Sequence, residues 1–363
     1  MKKITLCLLL VISFLCLNCK KDNPVTPSMW DLSGKIVFNP VGGNHTGIYV
    51  IDLNSPDLSM SLITPNGDEP RVNSKGDEIV YSNSQPGAID IFTVNLIGGV
   101  PVDLTPNPSL TDSWPDWSPD GSLIVFNRVF YPGFKEAICI MNKDGSNLHN
   151  LTDTSSLAIA VMPRWSPDGR RISFIGTTTR DALDGYNIYV IDPDGSNQVL
   201  LDYVGSKPTP SLPVWSPDSR TIAYAKTDAF FNLYLIDVIT KSSSKITDSE
   251  ISLTQQSVSW NPNGMLVCVG ENVKDTSSYR YGVYLVSPKT LLIEKTLVNN
   301  FMPLPSTCSS PDGKHIAIFG TTKNDKTFAL YIIDSDGRNF RKLKDIDNAN
   351  TFIDNWQYCQ WIN

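Results

Sequence analysis

Ten residues of this chain have side chains suited to gripping a ligand: Arg71, Trp114, Asp116, Arg128, Tyr131, Arg164, Tyr186, Phe230, Tyr279 and Arg280. Aromatic faces beside guanidinium groups stack on sugar rings or anchor a partner chain, so these ten define a candidate binding face. The alternative is that the aromatics fold over the rim and cap their own strands. Catalytic signatures do not accompany them. The chain has no G-x-S-x-G elbow, no H-E-x-x-H, no Walker loop and no G-x-G-x-x-G. Its three histidines, His45, His149 and His315, fall in different structural registers, and no metal centre is expected from them. Asp192-Pro193-Asp194-Gly195 offers hard oxygens at alternate positions, as half a calcium loop would, but a hairpin turn accounts for the same residues. No catalytic residue, metal or cofactor is assigned. One route to enzymatic chemistry stays open, because a glycosidase needs only two carboxylates at a defined separation and the chain has 37 acidic residues.

The elements that must position these side chains are repeated. Trp117-Ser118-Pro119-Asp120-Gly121 recurs as Trp165 to Gly169 and as Trp215 to Ser219, and in worn form as Trp260 to Gly264, Ser309 to Gly313 and Val72 to Gly76. Positions 72, 117, 165, 215, 260 and 309 are spaced by 45, 48, 50, 45 and 49 residues. A period of that length built from short strands signals a β-propeller. Each phrase is followed by an apolar run such as Leu123-Ile124-Val125-Phe126, then by a second such as Ile188-Tyr189-Val190-Ile191, then by an Asp-Gly turn and a Leu-Thr or similar pair. Runs of four to six residues rich in β-branched and aromatic side chains read as strands, and the 25 Pro and 23 Gly argue against helices.

The expected fold is therefore all-β, a seven-bladed β-propeller of four-stranded antiparallel blades spanning residues 30–363. Seven runs of the third-strand type can be counted, beginning at Ile48 and Ile91. The first blade opens on Ile36-Val37-Phe38 without a preceding Trp strand, while Gln357 to Ile362 is a Trp strand with no successor. That C-terminal strand is expected to join the first blade and close the ring, which removes an open sheet edge. The Ser-Pro-Asp-Gly turns would lie at one end of the blades. The variable loops carrying Arg128, Tyr131, Tyr186, Phe230, Tyr279 and Arg280 would lie at the other, with Arg71, Trp114, Asp116 and Arg164 at the mouth of the channel.

Residues 1–18 read as a signal peptide, with Lys2 and Lys3 before an apolar core too short for a comfortable span. Asn18-Cys19-Lys20-Lys21-Asp22 resembles the lipobox of bacterial lipoproteins. Cys16 and Asn18 depart from its usual pattern, as in lipoproteins of the Bacteroidetes type, which often continue Lys-Lys-Asp. The resemblance implies acylation at Cys19, anchoring in the cell envelope, and a flexible tether over residues 19–29. Cys139, Cys268, Cys308 and Cys359 read as buried thiols, with a Cys308–Cys359 disulfide as the alternative in an oxidising compartment. A formal charge of −7 without a basic cluster beyond Lys20-Lys21 excludes the ordinary nucleic-acid binder.

The W-S-P-D-G phrase, the I-Y-V-I-D-x-D-G strand and the Leu-Thr closure together resemble the WD40-like PD40 repeat of TolB-type propellers. The resemblance covers about residues 30 to 363. It implies an envelope protein that binds an envelope protein or glycan without catalysis. The TolB type itself has six blades and an N-terminal α/β domain. Peptidases of the prolyl-oligopeptidase type and oligogalacturonate lyases share this repeat form. The first carry a hydrolase domain and the second a His-rich metal centre, and neither feature is matched here.

Overall fold

The computed structural model describes residues 32–40, 47–85, 88–131, 133–179, 185–205, 212–227, 231–246, 251–302, 305–325, 327–346 and 358–363. Within them every regular element is a strand. The first set comprises β1 (Lys35–Asn39), β2 (Ile48–Asp52) and β3 (Met60–Thr64). The second comprises β4 (Asp68–Val72), β5 (Glu78–Gln85), β6 (Ala88–Asn95) and β7 (Val102–Asp103). The third comprises β8 (Leu110–Trp117), β9 (Leu123–Phe130), β10 (Lys135–Asn142) and β11 (His149–Asn150). The fourth comprises β12 (Ile159–Trp165), β13 (Ile172–Thr177), β14 (Tyr186–Ile191) and β15 (Val199–Gly205). Next come β16 (Val214–Trp215), β17 (Thr221–Thr227), β18 (Phe231–Asp237) and β19 (Ser243–Lys245), then β20 (Ile251–Trp260), β21 (Leu266–Asn272), β22 (Tyr281–Ser287) and β23 (Leu292–Phe301). The last are β24 (Ser306–Ser309), β25 (His315–Thr321), β26 (Phe328–Asp334), β27 (Arg341–Asp345) and β28 (Tyr358–Ile362).

Five of the sheets are four-stranded antiparallel meanders. The second and third sets share an eight-stranded sheet, because β6 and β8 meet at one parallel pair, Ile89 with Thr111. The strand β28 completes the first sheet in the order β28-β1-β2-β3, with Trp361 opposite Ile36 and Gln360 opposite Val37. The expected closure by the C-terminal strand is thus present. First strands touch in a closed circuit: β28 lies against β4, β4 against β8, β8 against β12, β12 against β16, β16 against β20, β20 against β24, and β24 against β28.

Burial explains which strands the sequence reveals. Second and third strands sit inside a sheet that has another sheet on each face, so both faces must be apolar. All six residues of β13 are buried, whereas β23 is largely exposed. Each apolar cluster joins two successive sets. Ile36 and Phe38 pack on Ala317, Phe319 and Leu330, tying the last set to the first, and Val80 and Ile91 pack on Trp117 and Phe126. The repeated phrase is a turn. Ser118 Oγ donates to Asp120 Oδ1 at 2.6 Å, Gly121 N donates to Ser118 O at 2.8 Å, and Gly121 has φ 70°. The Leu-Thr pair closes the fourth strand, because Thr105 and Thr152 Oγ1 accept the amides of Ile91 and Ile138 at 2.9 Å.

The four thiols Cys139, Cys268, Cys308 and Cys359 are free. The Asp192 segment is a hairpin turn. Gly195 N donates to Asp192 O at 2.9 Å, and Asp194 Oδ1 accepts Ser196 N at 2.9 Å. His149 is exposed and His315 bonds Asp334 at 3.0 Å. His45 lies outside the described residues.

Candidate functional site

The site begins with a backbone irregularity in three consecutive first strands. Glu69, Trp114 and Met162 have φ of 56°, 60° and 57°. Each precedes a proline, and register shifts separate Asp68 from Arg71, Ser113 from Asp116 and Val161 from Arg164. A non-glycine residue held at positive φ costs on the order of 1 kcal/mol or more and persists only where its surroundings over-determine it. Bulges of this kind re-aim side chains. Here they turn Glu69, Arg71, Trp114, Asp116 and Arg164 toward one another.

The bonds between them run from strand to strand around the ring. Arg71 Nε stands 3.8 Å from Asp116 Oδ1, and Trp165 N donates to Asp116 Oδ2 at 2.9 Å. Glu69 Oε2 accepts from Trp114 N at 2.5 Å and from Ser82 Oγ at 3.0 Å. The guanidinium of Arg71 sits 4.9 Å over the Tyr358 ring, and Trp114 meets that ring edge-on at 6.1 Å. Val72 N donates to Gln360 Oε1 at 3.1 Å, which repeats the relation of Trp165 to Asp116. In each case the residue before one repeat's anchor position holds the amide of the next repeat's anchor. The indoles add a second stitch, since Trp117 Nε1 donates to Arg71 O and Trp215 Nε1 to Arg164 O, both at 3.1 Å.

Electrostatics follow from crowding. Loss of surrounding water pushes the Glu69 carboxyl up to about 7. Burial and the nearby Arg71 charge bring the Arg164 guanidinium down to about 10. Burial also raises the Tyr358 phenol. Arg164 donates Nη1 to Pro163 O at 2.8 Å, but its Nη2 and the Tyr358 hydroxyl are buried without a hydrogen-bond partner among the described residues. Glu69 ionises more readily unfolded than folded, so its contribution to stability is greatest below its ordinary carboxyl range and is lost as pH rises toward 7. That loss is on the order of 3 kcal/mol, the carboxyl being raised from 4.5 to about 7. Glu69→Gln keeps an acceptor for Trp114 N and is expected to flatten the fall in urea midpoint between pH 5 and pH 8. An unchanged slope would mean that water reaches the carboxyl.

Sequence reasoning singled out Arg71, Trp114, Asp116 and Arg164, and the structure brings them together. It missed Glu69 and Tyr358. The available signal for Glu69 was x-Pro-[Arg/Asp]-[Trp/Val], which reads Glu69 to Val72, Trp114 to Trp117 and Met162 to Trp165 but not Tyr358 to Trp361. The remaining candidates do not join this group. Arg128 is buried and donates to both oxygens of Asp112 at 2.7 Å. Tyr131 and Phe134 are exposed and meet edge-on at 4.9 Å at the tip of the β9–β10 hairpin. Tyr186 is half-buried against the core between the fourth and fifth sets. Arg280 Nε donates to Glu271 at 2.5 Å, and with Tyr279 it lines a separate open cleft of about 400 Å³. Phe230 lies outside the described residues. No group of three or more metal-ligating side chains converges among the described residues.

No protein-family model matches the chain, and no curated protein matches it. Solved structures do. A puromycin-hydrolysing peptidase of Mycobacterium tuberculosis superposes with a TM-score of 0.63 at 15% identity, over 86% of this chain and 52% of that one. An oligogalacturonate lyase in complex with manganese gives 0.62 at 14% identity, over 89% and 88%. TolB from Acinetobacter baumannii gives 0.51 at 16% identity, over 85% and 79%. The chain spans about half the length of the peptidase it matches. At such identities the likeness concerns architecture alone. The fold is an all-β, TolB-like propeller, and its neighbours include a peptidase and a lyase as well as TolB.

Proposed function

We propose that this chain is a seven-bladed propeller of PD40 type that acts as a non-enzymatic binding scaffold in a bacterial cell envelope. It offers the charged tier around Arg71 and Arg164, and the loops above it, to an envelope protein or glycan. The circuit of first strands supports the blade count, since each contributes one inner member. The observation that carries the binding role is the state of the two central carboxylates. Glu69 and Asp116 each accept a backbone amide from the next strand, so both are committed to holding the ring. A glycosidase pair must instead be free to protonate a leaving group and to attack or activate water. One observation favours the enzymatic reading: Glu69, held near 7, is tuned as general acids are. The two readings separate on a panel of envelope glycans and peptides offered to the purified propeller. A scaffold binds saturably and leaves its ligand intact. Product formation that Glu69→Gln abolishes would replace the scaffold with a carbohydrate-active enzyme.

The anchor is part of the proposal. Cys19 lies outside the described residues; its acylation would fix the propeller to a membrane, with Asp22 to Ser28 as the spacer. In a cell expressing the full chain, Cys19→Ala is expected to move the protein from the membrane pellet to the soluble fraction. Sedimentation of the variant with membranes in high salt would rule the lipid anchor out.

A further inference from the structure

Tyr279 and Arg280 line a cleft that the inner tier does not use. The cleft lies on the sixth sheet and holds about 400 Å³, within the roughly 300–1,000 Å³ of small-molecule sites. Its walls come from three places. Asn272 ends β21; Asp275, Tyr279 and Arg280 belong to the β21–β22 connection; Thr296, Asn299 and Asn300 belong to β23.

The local sequence builds this concavity. The strand β23 has ten residues against seven in β22, and their register shifts between Tyr281 and Val283, between Val283 and Tyr284, and between Leu285 and Val286. Bulges bend a strand and re-aim its side chains, here those of Thr296, Asn299 and Asn300. Asn300 completes the bend with φ 70°. Gly270 and Gly282 pair across β21 and β22. A side-chain carbon on Gly270 would stand 3.1 Å from Tyr284 Cε2, and one on Gly282 would stand 2.9 Å from Tyr284 Oη. The glycine pair therefore leaves the Tyr284 ring its place in the lining.

The polar groups are fixed in advance. Arg280 Nε donates to Glu271 Oε1 at 2.5 Å, and its Nη1 donates to Ser277 O at 3.2 Å. Asp275 Oδ1 accepts Ser277 N at 2.8 Å. Asn272 and Asn299 use only their carbonyl oxygens, toward Lys274 N at 3.0 Å and Asn300 Nδ2 at 2.6 Å. Their Nδ2 groups, Thr296 Oγ1 and Tyr279 Oη make no hydrogen bond among the described residues.

The chemistry of the walls selects the occupant. Glu271 and Asp275 stand against Arg280 and the neighbouring Lys323, whose amide donates to Asn300 O at 3.0 Å, so neither sign of charge prevails. An ion gains little there. An apolar ligand would meet only Ile251 and Ile293 as aliphatic partners. What remains is a neutral molecule rich in hydroxyls. Each sugar hydroxyl donates and accepts, as a side-chain amide does, and the C–H face of a sugar ring lies against an aromatic ring.

We propose that this cleft is a binding site for a neutral saccharide. It goes beyond the scaffold reading above, because the inner tier is built on β4, β8, β12 and β28 and shares no residue with it.

The test is calorimetric titration of the purified protein with cellobiose, maltose and chitobiose, and with digalacturonate as the charged control. At least one neutral disaccharide is expected to bind saturably and at least about tenfold more tightly than digalacturonate. Asn299→Ala is expected to weaken that binding about tenfold, as loss of a hydrogen-bonding group does. Its melting temperature should stay that of the parent, because Asn299 is exposed. Tyr279→Ala is expected to weaken binding about thirtyfold, as loss of an aromatic anchor does. If Tyr279→Ala fails to fold, Asn299→Ala decides. The proposal is overturned if no neutral disaccharide saturates the protein, if Asn299→Ala binds as the parent does, or if digalacturonate binds as tightly. Binding that Arg71→Ala abolishes and Asn299→Ala spares would sink the cleft and leave the scaffold standing. Hydrolysis of a disaccharide whose binding Asn299→Ala weakens would support the cleft and sink the non-enzymatic scaffold.

Discussion

Asp112→Ala is expected to lower the free energy of unfolding by about 3–5 kcal/mol, a large part of the total for any single domain. Asp112 is wholly buried, and Arg128 faces it across β8 and β9 with both hydrogen bonds at 2.7 Å. The guanidinium also lies 5.4 Å over the Phe126 ring. Removing the carboxylate leaves that cation in an enclosed site without its hydrogen-bonded counter-charge, with only the more distant carboxylate of Asp90 acting on it. The penalty comes from the stranded partner more than from the lost attraction, so Asp112→Ala with Arg128→Met is expected to recover most of it. Urea unfolding of the parent, both single variants and the double variant closes the cycle. A cost below about 1 kcal/mol for Asp112→Ala, the range of exposed pairs, would show that solvent reaches Arg128.

Trp361→Ala is expected to cost a further separate 3–5 kcal/mol, about the usual penalty for truncating a buried aromatic side chain. Trp361 is buried, and its indole N–H donates to Ser33 O at 2.9 Å. Its ring packs in the cluster that joins the last set to the first. Loosening β28 would also bare the inner edge of β1, and bare edges pair with other chains. The variant should therefore both melt earlier and shift toward higher mass in gel filtration as concentration rises. Trp361→Phe, which keeps most apolar area and loses the donor, is expected to cost about 1 kcal/mol. A Trp361→Ala protein that stays monomeric and melts with the parent would mean that the closure contributes little to holding the ring.

Much of this architecture is legible in one sequence because the repeat is written in apolar runs and turn residues. Second strands such as Leu123-Ile124-Val125-Phe126 are buried on both faces and announce themselves. The short fourth strands, such as His149–Asn150, lie at the exposed side and carry no such signal. The inner tier was legible in part. Arg71, Asp116 and Arg164 stand one place before an anchor residue, which fixes them on a first strand. Tyr358 does not reveal itself, since it reaches the group through a strand from the far end of the chain. Nor does the commitment of Arg128 to Asp112 or of Arg280 to Glu271. Those partnerships depend on cross-strand register and on bulges, and a shift of one residue would have sent each side chain to the opposite face.

The pairing of β28 with β1 has a consequence for biosynthesis. Tyr358 N bonds Asn39 across 319 positions of chain. The strands β1 to β3 leave the ribosome before the other sets of the ring, yet their sheet has no inner member until β28 has been translated. Contacts between such distant segments form late and slowly. A nascent chain can stack its middle sheets one upon another while the earliest-made sheet waits with an open flank. Ring closure therefore waits on β28, and a chain cut just before Tyr358 would leave an assembled but unsealed ring.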